Sequence, residues 1–264
     1  MIPFPVRVAY LVLFCLIGIG GFFLRVGPWP QPLSYHNFAD DRCMLAVPNM
    51  LNVVSNVPFL IVGVWGMIYL AGSKSNRPGV FLEPMERWPY WIFFIGLALT
   101  GIGSSYYHAH PNNDTLTWDR MPLTVAFMGL FTAVLAERLN WRLAGWLIGP
   151  LVTLGIGSVV YWHVTEMHDV GDLRFYFVVQ FFPMLALPIL MLCFPPRYTG
   201  TGDLAAALLC YVLAKMLETY DREVYSELAL VSGHTLKHLV AGLASYLVLF
   251  MLQRRRPISP STPT

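Results

Sequence analysis

Runs of about twenty residues almost free of charge recur along this chain. They lie at 7–25, 50–72, 89–109, 120–136, 143–162, 175–195, 203–220 and 231–253. As helices they would each span most of a bilayer's hydrocarbon core, at ~1.5 Å per residue. The intervals between them carry turn chemistry: Gly27-Pro28, Ser75-Asn76-Arg77-Pro78, Pro111-Asn112-Asn113-Asp114 and Pro195-Pro196-Arg197. Strand-type alternation is absent, which excludes a membrane barrel. Only 12% of the 264 residues are charged and 56% are hydrophobic, too few charges to clothe a soluble domain. The reading is an all-α, polytopic membrane helix bundle.

Other classes fall away quickly. No basic stripe exists outside Arg254-Arg255-Arg256, so nucleic-acid binding is not expected. The cysteines, Cys15, Cys43, Cys193 and Cys210, lack paired spacing and form neither a disulfide framework nor a cysteine zinc site. Residues 1–42 read as an N-terminal helix and an outer loop, and 254–264 as a basic, then disordered, cytoplasmic tail that is Pro/Ser/Thr-rich from Pro257. The first run could be a signal peptide, but its small-residue cleavage site is poor, so a retained helix is favoured.

Eight spans put alternate connections on opposite sides. The side with both termini carries Arg7, Lys74, Arg77, Arg87, Arg138, Arg142, Arg197 and Arg254 to Arg256; the other carries Arg25, Arg42, Arg120, Arg174 and Arg222. The positive-inside rule then places both termini in the cytoplasm of a plasma or inner membrane. All seven histidines, His36, His108, His110, His163, His168, His234 and His238, fall in the opposite, outward half.

Three segments could carry chemistry. Gly101-Ile102-Gly103-Ser104-Ser105-Tyr106-Tyr107-His108 ends the third span, with Ser104 and His108 on one helix face. Trp118-Asp119-Arg120-Met121-Pro122 opens the fourth. His234-Thr235-Leu236-Lys237-His238 begins the last, and two imidazoles one turn apart can converge on a metal ion. Helix rise places His108 and His234 about 30 Å, Ser104 and His238 about 24 Å, and Asp119 about 25 Å from the cytoplasmic ends of their spans. Three helices thus present metal-type or acid–base side chains at one depth.

Each piece also has a plainer reading. Asp119 serves either as acid–base group or as N-cap, with Pro122 in the first turn. Ser104 among glycines suits close helix packing. His36, His163 and His168 read as solvated or hydrogen-bonded, and His110 lies off the shared face. Lys215, Glu218 and Asp221 recur at three-residue spacing in the seventh span, with Lys215–Glu218 a natural ion pair. Lys237 either snorkels and pairs with Glu218 or Asp221, or orients the ligand imidazoles. Arg174, Tyr176 and Gln180 are polar enough to line a cavity.

Together, Ser104…His108, Asp119 and His234…His238 resemble the signature of the alkaline ceramidase family. That family belongs to the CREST superfamily of seven-helix membrane hydrolases, which includes the progestin/adiponectin receptors. The eleven-residue step from His108 to Asp119 is similar too, as is Leu51-Asn52-Val53-Val54-Ser55-Asn56 at the head of the second span. The resemblance covers about 43–252 and implies a seven-helix catalytic core over 43–253, preceded by one extra helix. It implies Zn2+ held by His108, His234 and His238, with Asp119 as general base and Ser104 bonding the water or the oxyanion. The implied reaction is hydrolysis of an amide or ester in a membrane lipid, ceramide or a related acyl amide. Lys215, Glu218, Asp221 and Lys237 stand as supporting residues around the ligands. No obligatory protein partner is evident.

One departure concerns calcium, which the eukaryotic ceramidases bind in an acidic cluster before the first core helix. Here Asp40-Asp41-Arg42-Cys43 is followed by apolar residues, and Asn49 stands about where a glutamate ligand would be expected. This argues against a calcium site and weakens the case for ceramide itself. The alternative is a receptor or signalling protein of the same superfamily with a structural zinc site. A haem protein is disfavoured, because His234 and His238 on one helix face cannot both be axial ligands of one haem. A metal transporter would carry ionisable groups across the whole membrane, whereas here they stop in the outer half.

Overall fold

The computed structural model describes residues 3–258, and among these the chain is helical and contains no strand. The long helices are α1 (Phe4–Arg25), α3 (Val57–Ala71), α4 (Arg87–Ala109), α5 (Asn113–Arg138), α6 (Leu143–Met167), α7 (Arg174–Cys193), α8 (Thr201–Thr219) and α10 (Gly233–Arg254). Two short helices, α2 (Met50–Val54) and α9 (Asp221–Leu228), precede α3 and α10. This is an all-α membrane bundle. Six spans, counting α2 and α3 together, are long and apolar enough to cross a bilayer. The two that fall short are α4, which carries Ser104, Ser105 and His108, and α8, which carries Asp203, Lys215 and Glu218. These polar residues lower the hydropathy of the two helices that carry them.

Helix α5 lies at the centre, packed between α4, α6 and α7; α4 in turn packs on α3, and α8 on α10. Helix α1 stands outside this group, touching α7, with Leu11 its one buried residue. Small residues set the closest approaches. A Cβ on Gly103 would sit 2.0 Å from the Trp118 carbonyl oxygen, so only glycine lets α4 and α5 meet there. Gly233 does the same at the head of α10, where a Cβ would come within 2.2 Å of the Leu217 carbonyl of α8.

Two helix starts differ from expectation. Asp119 and Pro122 do not open the fourth span. Asn112 is the cap, its side chain accepting from the Thr115 N–H at 2.9 Å, so Asp119 and Pro122 sit inside α5. The capping box at Asn112 and Thr115 starts the helix ahead of the apolar run. Pro122 cannot donate to the Trp118 carbonyl, and this freed oxygen is the one that faces Gly103. The second span is interrupted at Ser55 and Asn56, because Pro58 in the first turn of α3 has no N–H for the Val54 carbonyl.

Residues 26–49 fold across the histidine-bearing end. Gln31 N–H donates to Glu166, Leu173 N–H to the Trp29 carbonyl at 3.1 Å, and Ala39 N–H to Asp221 at 2.9 Å. Asp40 accepts two hydrogen bonds from the Arg42 guanidinium at 2.7 and 2.8 Å, which lower the pKa of its carboxyl. At the other end Arg255 is buried and Pro257 pairs with Tyr198. The rest of the expected disordered tail, 259–264, lies outside the described residues.

Candidate metal centre

His108 stands in the last turn of α4, and His234 and His238 in the first two turns of α10. All three are buried, with exposures of 1%, 5% and 4%. One ring nitrogen from each lies within 4.8 Å of the others, a group that could hold a metal ion. The Nε2 atoms of His108 and His234 are 3.3 Å apart. The edge of a tetrahedron with metal–nitrogen bonds of about 2.0–2.1 Å is about 3.3–3.4 Å, so this spacing fits a shared cation.

The tautomer of His238 follows from its neighbour. Ser55 Oγ donates its one hydrogen to the Asn52 carbonyl at 3.0 Å and lies 2.8 Å from His238 Nδ1. Nδ1 therefore donates to Ser55, leaving the Nε2 lone pair for a metal, the usual arrangement around ligand histidines. Asn52 Oδ1 also accepts from Thr235 Oγ1 at 2.8 Å, and Asn49 Nδ2 donates to the His108 carbonyl at 2.9 Å. The latter bond needs a donor, which a glutamate at 49 would lack. Asn49 adopts a left-handed backbone (φ 49°), which asparagine tolerates.

The first turn of α10 is fixed twice. Ser232 Oγ accepts from Thr235 N–H at 3.1 Å, and Asp221 Oδ1 accepts from His234 N–H at 2.7 Å. Asp221 thus anchors the helix that presents the imidazoles and, through its other oxygen, the loop above them. The Phe38 ring covers the site, with centroids 4.7 Å from His108 and 4.8 Å from His234.

A cavity of about 250 Å³ inside the bundle reaches this centre at His238. Ser104, Asp119 and His238 line it, with Asp119 half-buried and Ser104 beside its carboxyl group. Glu218 also lines it and takes both Lys215 and Lys237 as ion-pair partners, the latter at 2.5 Å, while accepting from Tyr35 Oη at 3.2 Å. Arg120, Gln180 and Ser245 add polar groups, and most of the remaining wall is apolar, with Phe93, Leu97, Leu130, Leu187 and Val248 among its residues.

The remaining histidines stay apart. His36 bonds Tyr107 Oη and Asn113 Oδ1, both at 2.9 Å, His163 lies 3.8 Å from Asp114, His168 meets the Val164 carbonyl, and His110 follows α4 against the Tyr106 ring. Of the polar residues singled out on α7, Gln180 and Tyr176 line the cavity, whereas Arg174 pairs with Asp172 outside it. Sequence reasoning noticed Asn52 and Ser55 without assigning them work and missed Phe38 and Arg120. Arg120 showed as a charge inside a span; Phe38 had no signal. No model of a known protein family matches the chain, and no curated protein matches it either.

Proposed function

We propose that this protein is a zinc-dependent membrane hydrolase that cleaves an acyl amide bond in a lipid. The observation that carries the reading is the joint placement of a three-imidazole cluster and the Ser104/Asp119 pair at the head of a cavity with apolar walls. Three neutral nitrogen donors suit zinc and leave a fourth position open, as in catalytic rather than structural sites. Zinc in such a site acts as a Lewis acid and makes water nucleophilic near neutral pH.

The chain's own groups supply the rest. A carboxylate oxygen of Asp119 takes a proton from the attacking water and returns it to the departing amine nitrogen. Ser104 Oγ donates to the oxyanion that forms at the scissile carbonyl. The balance is amide plus water to carboxylate plus ammonium, both protons of the water ending on the amine nitrogen. The acyl chain lies along the apolar wall, and the Phe38 cover excludes bulk water from the outer side. This agrees with the resemblance to the alkaline ceramidases. The excess of basic residues on the side of both termini supports a cytoplasmic location for them and an outward-facing site.

The test is turnover. Purified protein in non-ionic detergent should release fatty acid from long-chain acyl amides, lose that activity to a chelator and regain it with Zn2+. Zinc-loaded protein that binds such lipids and never cleaves them would favour the receptor reading instead.

A further inference from the structure

The charges around the cavity do not balance. Arg120, Lys215 and Lys237 line it against Asp119 and Glu218, three basic groups facing two acids. Glu218 is committed to both lysines. Arg120 is only 5% exposed and has no ion-pair partner among the described residues. Its guanidinium is held between the rings of Trp162 (4.4 Å) and Tyr176 (4.5 Å), with Tyr35 at 5.5 Å, while Nη2 donates to Gln31 Oε1 at 2.6 Å. Nη1 is buried and meets no acceptor.

A buried cation inside a membrane span is retained where an opposite charge or carbonyl oxygens meet it, as at Arg138, whose guanidinium donates to the Met191 and Phe194 carbonyls and to Thr201. Aromatic faces and Gln31 hold the Arg120 guanidinium in place without neutralising it. Arg255 at the opposite end makes the useful control. It too leaves one nitrogen, Nη2, without an acceptor, but its charge is met by Glu137 and it does not line the cavity.

We propose that Arg120 receives an anionic group on the amine half of the substrate, which makes the substrate class an acyl amide of an amino acid or similar anionic amine. The cavity's polarity gives the orientation. Arg120, Tyr35, Lys237 and Asp119 cluster at the head, and the apolar wall continues along α10 from His238 to Val248, about 15 Å of helix. The acyl chain fills that depth, the scissile amide lies by Asp119, and the headgroup's anion meets Arg120 in charge-assisted hydrogen bonds. Which end of the lipid carries the charge rests on the hydrolase reading; the demand for an anion at Arg120 does not.

The experiment is equilibrium binding at pH 8 in non-ionic detergent with chelator present, so that the amide stays intact, using N-palmitoylglycine, its neutral methyl ester, and palmitate. Wild-type protein should bind the acid at least about tenfold more tightly than the ester, and Arg120→Gln should abolish that preference. Equal binding of acid and ester by the wild type would overturn the proposal, as would a preference that survives Arg120→Gln. Palmitate losing affinity in Arg120→Gln while N-palmitoylglycine does not would assign the cation to the fatty-acid product and overturn the headgroup role. If Arg120→Gln does not fold, Arg120→Lys and the wild-type acid-to-ester ratio decide. The two readings fail separately: acid preference without turnover refutes only the hydrolase, and turnover without acid preference refutes only the anion site.

Discussion

At the end of the bundle remote from the histidines, buried charge is met within the protein. Arg255 lies between Glu137 and the rings of Tyr198 and Phe81, Arg197 and Tyr198 share Glu86, and Arg138 donates to the Phe194 carbonyl at 2.9 Å and to Thr201 at 2.8 Å. At the histidine end, three imidazoles crowd together, Asp119 faces a cavity, and Arg120 has neither a carboxylate partner among the described residues nor an acceptor for its buried Nη1. The first arrangement ties helix ends into a stable frame. The second leaves donors and acceptors unspent in a low-dielectric setting, which is what a binding or catalytic site requires. One end of the molecule is tied together by its own residues; the other sets a histidine group that could hold a metal ion beside an open cavity.

Substitutions at the two ends should separate these roles. Asp119→Asn should lower turnover by about 10²–10⁴-fold with zinc content and thermal stability retained, measured by fatty-acid release and metal analysis. Lost stability without a specific loss of rate would make Asp119 part of the frame. Glu137→Ala should do the reverse. Leaving Arg255 buried and unpaired should cost about 3–5 kcal/mol, read as a lower unfolding midpoint in detergent, with the zinc-to-protein ratio unchanged. Ser55→Ala removes the acceptor that orients His238 and should weaken zinc binding about 10–100-fold in a chelator competition. An unchanged affinity would place Ser55 among packing contacts only.

The smallest effect concerns the cover. Arg42 holds the Asp40 carboxyl below its unfolded value, so its contribution to the outer loop is present above the unfolded pKa, about 3.9, and is lost as pH falls through the folded value. Hydrogen-exchange protection at residues 39–49, taken relative to the intrinsic rate at each pH, should fall below about pH 4 and recover on neutralisation. Arg42→Gln should largely abolish that transition, since the carboxyl then titrates alike in the folded and unfolded chain.

The eight long helices were legible because hydrocarbon demands apolar runs of a fixed length, and each run contains most of a helix. Their beginnings were less so: Asn112 starts α5 ahead of its apolar stretch, and the break at Ser55 depends on Pro58. The His234/His238 pair was legible from spacing along one helix, and His108 joined it through matched depth. Ser55 could not be assigned work this way, since its partner His238 is 183 residues distant and the bond exists only once α2 meets α10. Arg120 was visible as a charge, but its aromatic enclosure by Tyr35, Trp162 and Tyr176 comes from three separate segments.

The most direct test is the metal content of the purified protein beside that of His234→Ala. The wild type should hold one zinc per chain and the variant none, with the helical content of both the same. Wild-type protein prepared with zinc available that holds none, or a variant that holds as much as the wild type, would contradict it.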